Sequence, residues 1–293
     1  MKKNILMLPG AERAARLLAR GLRAPVFKVR FTTFPDGEPR VVLPSQVKKS
    51  FLLVAPSQSN FETVWQLLMA IRAAKDNGLV AEVFFPILPL ARADKALPGE
   101  PKTGFLFADC LTAASPAAVY AVSPHSAAVW RAFKTKKIVF EPLLSLAARV
   151  AKNWRPDTIL APDRGAAPRA RKIADKLRSG LAVAEKIRDS RGRVRLLKFK
   201  GRIGRRVLIV DDLVSTGATL FTAAVAAKKA GAREIRALVV HVTPARELGP
   251  RLAVSSVQKL FVSDTGQIKK SSKIHVLPIL EEIGRTLRRL NRE

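Results

Sequence analysis

One stretch, RVLIVDDLVSTGATL (206–220), concentrates residues that could do chemistry. An aliphatic run ends in Asp211 and Asp212, turns through Ser215, Thr216 and Gly217, and the pattern predicts a helix opening at Thr219. Backbone N–H groups and hydroxyls at a helix N-terminus cradle a phosphate dianion. Gly217 lets the backbone approach that phosphate closely. Two carboxylates at a strand end can accept hydrogen bonds from vicinal ribose hydroxyls. The expectation is a sugar-phosphate site, with Asp211 and Asp212 on the sugar and Ser215, Thr216, Gly217 and Thr219 around the phosphate. The simpler alternative is a turn in which Ser215 or Thr216 merely caps the helix.

Such a site needs a scaffold, and the rest of the chain supplies one. Short apolar runs recur at 51–56, 81–87, 118–124, 157–162, 206–212, 234–242, 259–265 and 273–279. Between them lie Ala/Leu-rich stretches with helical spacing. Two of these, 61–78 and 218–232, carry a glycine after lysines at the end, a helix C-terminal pattern. Alternating strands and helices predict an α/β fold with mainly parallel sheets. Runs that are apolar throughout fit sheets covered on both faces. The rhythm runs twice, so the expectation is two similar three-layer domains, 1–142 and 143–293. The final helix, ILEEIGRTLRRLNRE, has no evident packing partner.

Composition narrows the class. The chain has 293 residues, 53 Lys plus Arg against 23 Asp plus Glu, and a formal net charge of +30. That charge implies attraction to anions but does not choose among them. Aromatics make up 6% and there is one Tyr, so a nucleic-acid partner is not expected. The single cysteine, Cys110, excludes an intramolecular disulfide framework and reads as a buried small hydrophobe. The start carries only a four-residue apolar run before Pro9, and LVAEVFFPILPLA is interrupted by Glu82, Pro86 and Pro89. Neither is a membrane span or a secretory signal, and the expected location is the cytoplasm. His241, His275, Trp65, Trp130 and Trp154 read as packing residues.

VLIVDDLVSTGATL is similar to the phosphoribosyl-pyrophosphate loop of type I phosphoribosyltransferases and ribose-phosphate pyrophosphokinases. Further segments favour the second. FTTFPDGEPRVVLP (31–44) resembles the pyrophosphokinase FxDGE segment at Phe34, Asp36 and Glu38, which in that family reaches the ATP adenine of a neighbouring subunit. PILPLARADKALPGEP (86–101) resembles its ATP-binding stretch. Arg92 and Asp94 are kept, while Ala93 and Lys95 stand where the family usually has Gln and often Arg. AVSPHSAAVWRAF (121–133) resembles the segment with the metal-binding histidine, here His125, although Ser123 replaces the usual Asp. LAPDRGAAPRARKIAD (160–175) resembles a segment in which Asp163 matches a second metal ligand. Lys186 and Arg188, in the Lys/Arg/Gly-dense segment 186–204, match the basic pair of the catalytic flap. By itself that segment reads equally as a solvated basic hairpin.

The resemblance implies a phosphoribosyltransferase-like fold and a ribose-phosphate diphosphokinase. It would transfer the pyrophosphoryl group of ATP to the 1-hydroxyl of ribose 5-phosphate, giving phosphoribosyl pyrophosphate and AMP. It implies Mg²⁺ through His125 and Asp163, and a homo-oligomer built on dimers, up to a hexamer. The alternative is a non-catalytic nucleotide-binding paralogue that regulates an active synthetase, suggested by Ala93 and Ser123.

Overall fold

A computed structural model describes residues 4–47, 49–58, 60–188, 194–243, 247–268 and 271–290, with the side chains of 186–188 and 194–197 outside that description. The chain divides into two compact units, one of residues 1–140 with 278–293, the other of residues 141–277.

The first unit begins with β1 (Asn4–Met7), α1 (Glu12–Leu22), β2 (Val26–Lys28), β3 (Arg30–Thr33), β4 (Pro39–Val42) and β5 (Ser50–Val54). It continues through α2 (Phe61–Asp76), β6 (Val80–Phe85), α3 (Thr103–Ala114), β7 (Ala118–Val122), α4 (Ala127–Ala132) and β8 (Lys136–Phe140). Six strands form a parallel sheet in the order β2-β1-β5-β6-β7-β8, and β3 pairs with β4 as a separate antiparallel hairpin. Every residue of β7 is buried, because both faces of the sheet are covered. Phe51, Phe85, Phe107 and Phe133 anchor the core, with Phe107 edge-on to both Phe85 and Phe133.

The second unit runs α5 (Leu143–Ala151), β9 (Thr158–Ala161), α6 (Ala167–Leu177), β10 (Gly180–Arg188), β11 (Val194–Lys200) and β12 (Arg206–Val214). Then follow α7 (Ala218–Lys229), β13 (Glu234–Val242), α8 (Leu248–Val254), β14 (Lys259–Ser263) and β15 (Ile274–Leu277). The sheet order is β11-β10-β9-β12-β13-β14-β15, parallel throughout except for the β10–β11 hairpin. The fold is thus α/β with mainly parallel sheets, as the alternating runs predict.

The glycines after lysines act as the spacing suggests. Gly78 and Gly231 have φ of 65° and 102°, and the residues that follow them donate back to Ala74 and Ala227. These bonds satisfy orphan carbonyls at the ends of α2 and α7.

The final helix, α9 (Leu280–Leu290), packs on α1 and so belongs with the first unit, although sequence order places it in the second half. Its buried residues, Leu280, Ile283, Gly284 and Leu287, follow one helical face. Gly21 and Gly284 make the close crossing: a Cβ on Gly284 would meet the Leu18 carbonyl, and one on Gly21 the Glu281 carbonyl.

Four local expectations need correction. β12 runs to Val214, past both aspartates, because Leu213 and Val214 continue the pairing with β13. α7 opens at Ala218, with Gly217 as its N-cap. Cys110 is half-buried rather than buried, because the inward face of α3 is Gly104, Phe107, Ala108 and Leu111. Trp65 is 57% exposed, one turn from Phe61, which is 96% exposed; both lie off the buried face formed by Leu67, Ala70, Ile71 and Ala74. His241 is buried, as a packing residue should be, and pairs with the Thr265 hydroxyl at 2.9 Å.

Candidate active site

In open parallel sheets, ligands bind beyond the C-terminal ends of the strands. In the second unit β9 and β12 are neighbours, so the turn after β9 and the end of β12 lie side by side. The first carries Asp163, the second Asp211 and Asp212.

The two aspartates of β12 are not equivalent. Successive strand residues point to opposite faces. Asp212 is buried, and its Oδ2 takes an ion pair from Nη2 of Arg169 at 2.6 Å. Asp211 is half-buried, and its Oδ1 accepts from the Asp212 backbone N–H at 2.9 Å. Burial, the neighbouring Asp212 and the charge of Asp163 push the Asp211 carboxyl up to about 8. Carboxyl groups are therefore crowded at this strand end, with Asp163 near enough to raise Asp211 further.

Arg169 organises the adjoining turn. Its Nη1 donates to the Gly165 carbonyl at 3.0 Å while Nη2 holds Asp212. Asp163 Oδ1 accepts from the Ala166 N–H at 3.0 Å and so closes the same turn. Arg164, at the surface, reaches Glu185 of β10 at 3.2 Å. Sequence reasoning gave Arg169 no role. A signal existed: a cation in the first turn of a helix opposes the macrodipole and needs an acid nearby. Spacing alone could not say which acid.

The loop after β12 has the shape a phosphate cradle requires. Gly217 has φ 77°, and a Cβ there would run into the Phe221 ring. No side chain caps α7 at Gly217; the Thr216 hydroxyl lies 3.4 Å from the Ala218 N–H. Thr216, one of the residues the simpler alternative names, thus meets one N–H of the first turn across a long hydrogen bond. Ser215 and Thr219 are half-buried and Thr216 is exposed beside it.

The remaining residues lie as follows. Lys186 and Arg188 sit on the β10–β11 hairpin, opposite Leu197 and Val194 in register, and their side chains lie outside the described residues, as do residues 189–193. In the first unit, the Phe34–Glu38 turn at the tip of β3–β4 is closed by Phe34 N–H to the Glu38 carbonyl at 2.8 Å, with Gly37 at φ 90°. Asp36 Oδ1 accepts from the Glu38 N–H at 3.1 Å, and the Arg40 guanidinium lies 5.6 Å from the centre of the Phe34 ring. Phe34 is 47% exposed. Arg92 and Asp94 occupy the loop after β6, and exposed His125 occupies the turn after β7, the strand next to it. These two loops therefore share one end of the first sheet.

Among the described residues, no group of three His, Cys, Asp or Glu side chains clusters as a metal site. Asp163 is a hard oxygen donor that suits Mg²⁺, a cation that commonly takes few protein ligands and completes its shell with water and phosphate.

The chain is similar to known proteins over most of its length. Residues 132–269 match the phosphoribosyl transferase domain. Over 279 residues the chain is 29% identical to ribose-phosphate pyrophosphokinase of Sulfurisphaera tokodaii, covering 92% of this chain and 95% of that protein. It is 27% identical over 254 residues to ribose-phosphate pyrophosphokinase of Bacillus subtilis, covering 84% and 80%. Phosphoribosylpyrophosphate synthetase from Mycobacterium smegmatis has the same fold, with a TM-score of 0.86 over 99% of both chains at 23% identity. Among the described residues no helix is long and apolar enough to cross a membrane. The similarity to ribose-phosphate pyrophosphokinases is nearly end to end, covering both the β12–α7 loop and the unit that precedes it.

Proposed function

We propose that the protein transfers the β,γ-pyrophosphoryl group of ATP to O1 of ribose 5-phosphate, giving phosphoribosyl pyrophosphate and AMP. O1 attacks the β-phosphorus, the bond from that phosphorus to the oxygen shared with the α-phosphorus breaks, and that oxygen leaves with AMP. The O1 proton passes out as the new bond forms.

The observation that carries this reading is the end of β12. It offers two carboxylates and an α7 N-terminus with no side-chain cap at Gly217, within a few residues of each other. Asp211 and Asp212 would orient the ribose hydroxyls, with Asp212 held in place by Arg169. Ser215, Thr216, Gly217 and Thr219 would receive the 5-phosphate. Phosphoryl chemistry of this kind depends on positioning and charge neutralisation more than on covalent help from the protein. Lys186 and Arg188, carried on a hairpin, would close over the transferring group and offset its developing charge. Phe34, Asp36, Glu38, Arg92 and Asp94 would receive ATP. Mg²⁺ would be held through Asp163 and His125, mostly by water and phosphate oxygens, and would supply charge neutralisation. Exposed Phe61 and Trp65 on one face of α2 support a homo-oligomer, since large apolar side chains grouped at a surface mark interfaces.

The test is AMP formation from ATP and Mg²⁺, with and without ribose 5-phosphate, beside Lys186→Ala. AMP that requires the sugar and is lost in the variant bears the reading out. A folded protein that binds ATP and makes no AMP points instead to the regulatory paralogue. That second reading rests on Ala93 and on Ser123, which is buried and stands where the family usually has Asp.

A further inference from the structure

Behind the phosphate loop, on the flank of α7 that faces β11, lies a groove of about 1030 Å³. Its apolar wall is Phe199, Ile203 and Phe221, which also pack against the core of the second unit. Val225 adds a 47% exposed apolar side chain. Its rim carries Lys198, Arg202 and Lys229, and among the described residues no carboxylate lines it. The wall is fixed in advance. At Gly201, φ 110°, a Cβ would strike the Leu181 carbonyl, so the chain presses against β10 there. Thr158 Oγ1 then donates to the Arg202 carbonyl at 3.2 Å and accepts from the Gly204 N–H at 3.0 Å.

A preformed apolar slot ringed by cations selects an anion that also carries an apolar body. The size suits a small molecule. A second copy of this chain would bring +30 of like charge to the same rim. We propose that the groove binds a small aromatic phosphate, a planar ring bearing one or more phosphate groups, and that its occupancy is felt at the sugar-phosphate loop. Phe221 is the link: its ring lines the groove and also lies against Gly217. The groove is also walled by β11, the return strand of the hairpin that carries Lys186 and Arg188. The binding claim is independent of the proposed reaction, whereas the effect on the loop rests on that reading.

The experiment is calorimetric titration of 1-naphthyl phosphate into the full chain, with ribose 5-phosphate saturating so that the catalytic loop is occupied. Single-site binding is expected, weakened at least tenfold in Arg202→Glu/Lys229→Glu and in Val225→Arg, which fills the slot. 2-Naphthol and inorganic phosphate should each bind at least tenfold more weakly. Unchanged affinity in both variants, or equal binding of 2-naphthol, overturns the site. Binding that tracks a change of oligomeric state favours a subunit interface and overturns it too. In steady-state assays, 1-naphthyl phosphate should shift the ribose 5-phosphate KM at least threefold in the wild type and not in Arg202→Glu/Lys229→Glu. An unchanged KM overturns the link through Phe221. A chain that makes no AMP refutes the reaction while leaving the titration to decide the site.

Discussion

Arg169 in the first turn of α6 holds Asp212 at the end of β12 through a 2.6 Å ion pair, and with its other terminal nitrogen it holds the Gly165 carbonyl. One guanidinium thus joins the turn that carries Asp163 to the strand that carries the acid pair. Removing one partner of a buried pair leaves the other charge uncompensated, at a cost on the order of 3 kcal/mol. Arg169→Ala should lower the midpoint of urea unfolding and raise the ribose 5-phosphate KM more than the ATP KM. Arg169→Ala/Asp212→Asn should recover at least about 1 kcal/mol relative to the sum of the single variants. Additive losses would show that the contact carries no coupling.

Asp211 gives the protein a pH signature. Its carboxyl is raised in the folded state, mainly by burial and then by Asp212 and Asp163. The folded state therefore keeps a proton that the unfolded chain has released. This contribution is fully present below the unfolded value near 4 and is lost as pH rises toward about 8. In the absence of metal, Asp211→Asn should flatten the fall in unfolding free energy across that window. The same slope in both proteins would count against the assignment.

Gly217 has a positive φ and no room for a Cβ beside Phe221. Gly217→Ala should cost more than about 1 kcal/mol, since alanine is strained at positive φ. It should also raise the ribose 5-phosphate KM by about tenfold, the equivalent of about 1.4 kcal/mol. Crystals of the variant should show the loop or the Phe221 ring displaced; an unmoved loop with an unchanged KM would refute the cradle.

The proposed flap separates turnover from folding. Lys186→Ala should reduce kcat by about 10²–10³, the scale of losing a donor to transition-state charge. Far-UV circular dichroism and the thermal midpoint should stay near wild type. Retained kcat would remove Lys186 from the chemistry.

The α1–α9 crossing is a stability device. A Cβ on Gly284 would meet the Leu18 carbonyl, and backbone cannot yield as a flexible side chain does. Gly284→Ala should destabilise the protein by about 1–3 kcal/mol through overpacking. A neutral or stabilising result would mean that the helices separate at little cost.

Much of this protein could be read from its sequence, because the signals were local. Runs such as TILA of β9 and AVYAV of β7 are apolar without alternation, so their burial on both faces and the parallel sheet follow from composition. Gly78 and Gly231 mark helix ends because a left-handed residue there needs no side chain. The order of acids, hydroxyls and glycine in DDLVSTGAT indicates sugar-phosphate chemistry before any fold is known.

What the sequence left open depends on contacts between residues distant in the chain. Both aspartates look alike in the motif, yet strand alternation turns Asp212 inward and only the adjacency of β9 and β12 brings Arg169 to meet it. The final helix reads as amphipathic, but its partner is chosen by Gly21, which lies near the other end of the chain. Composition and periodicity determined the elements, and the motif at 206–220 pointed to a sugar-phosphate site. The tertiary structure decided which charges face each other, because an ion pair or a close helix crossing is set by distance in space and leaves no periodic trace in the chain.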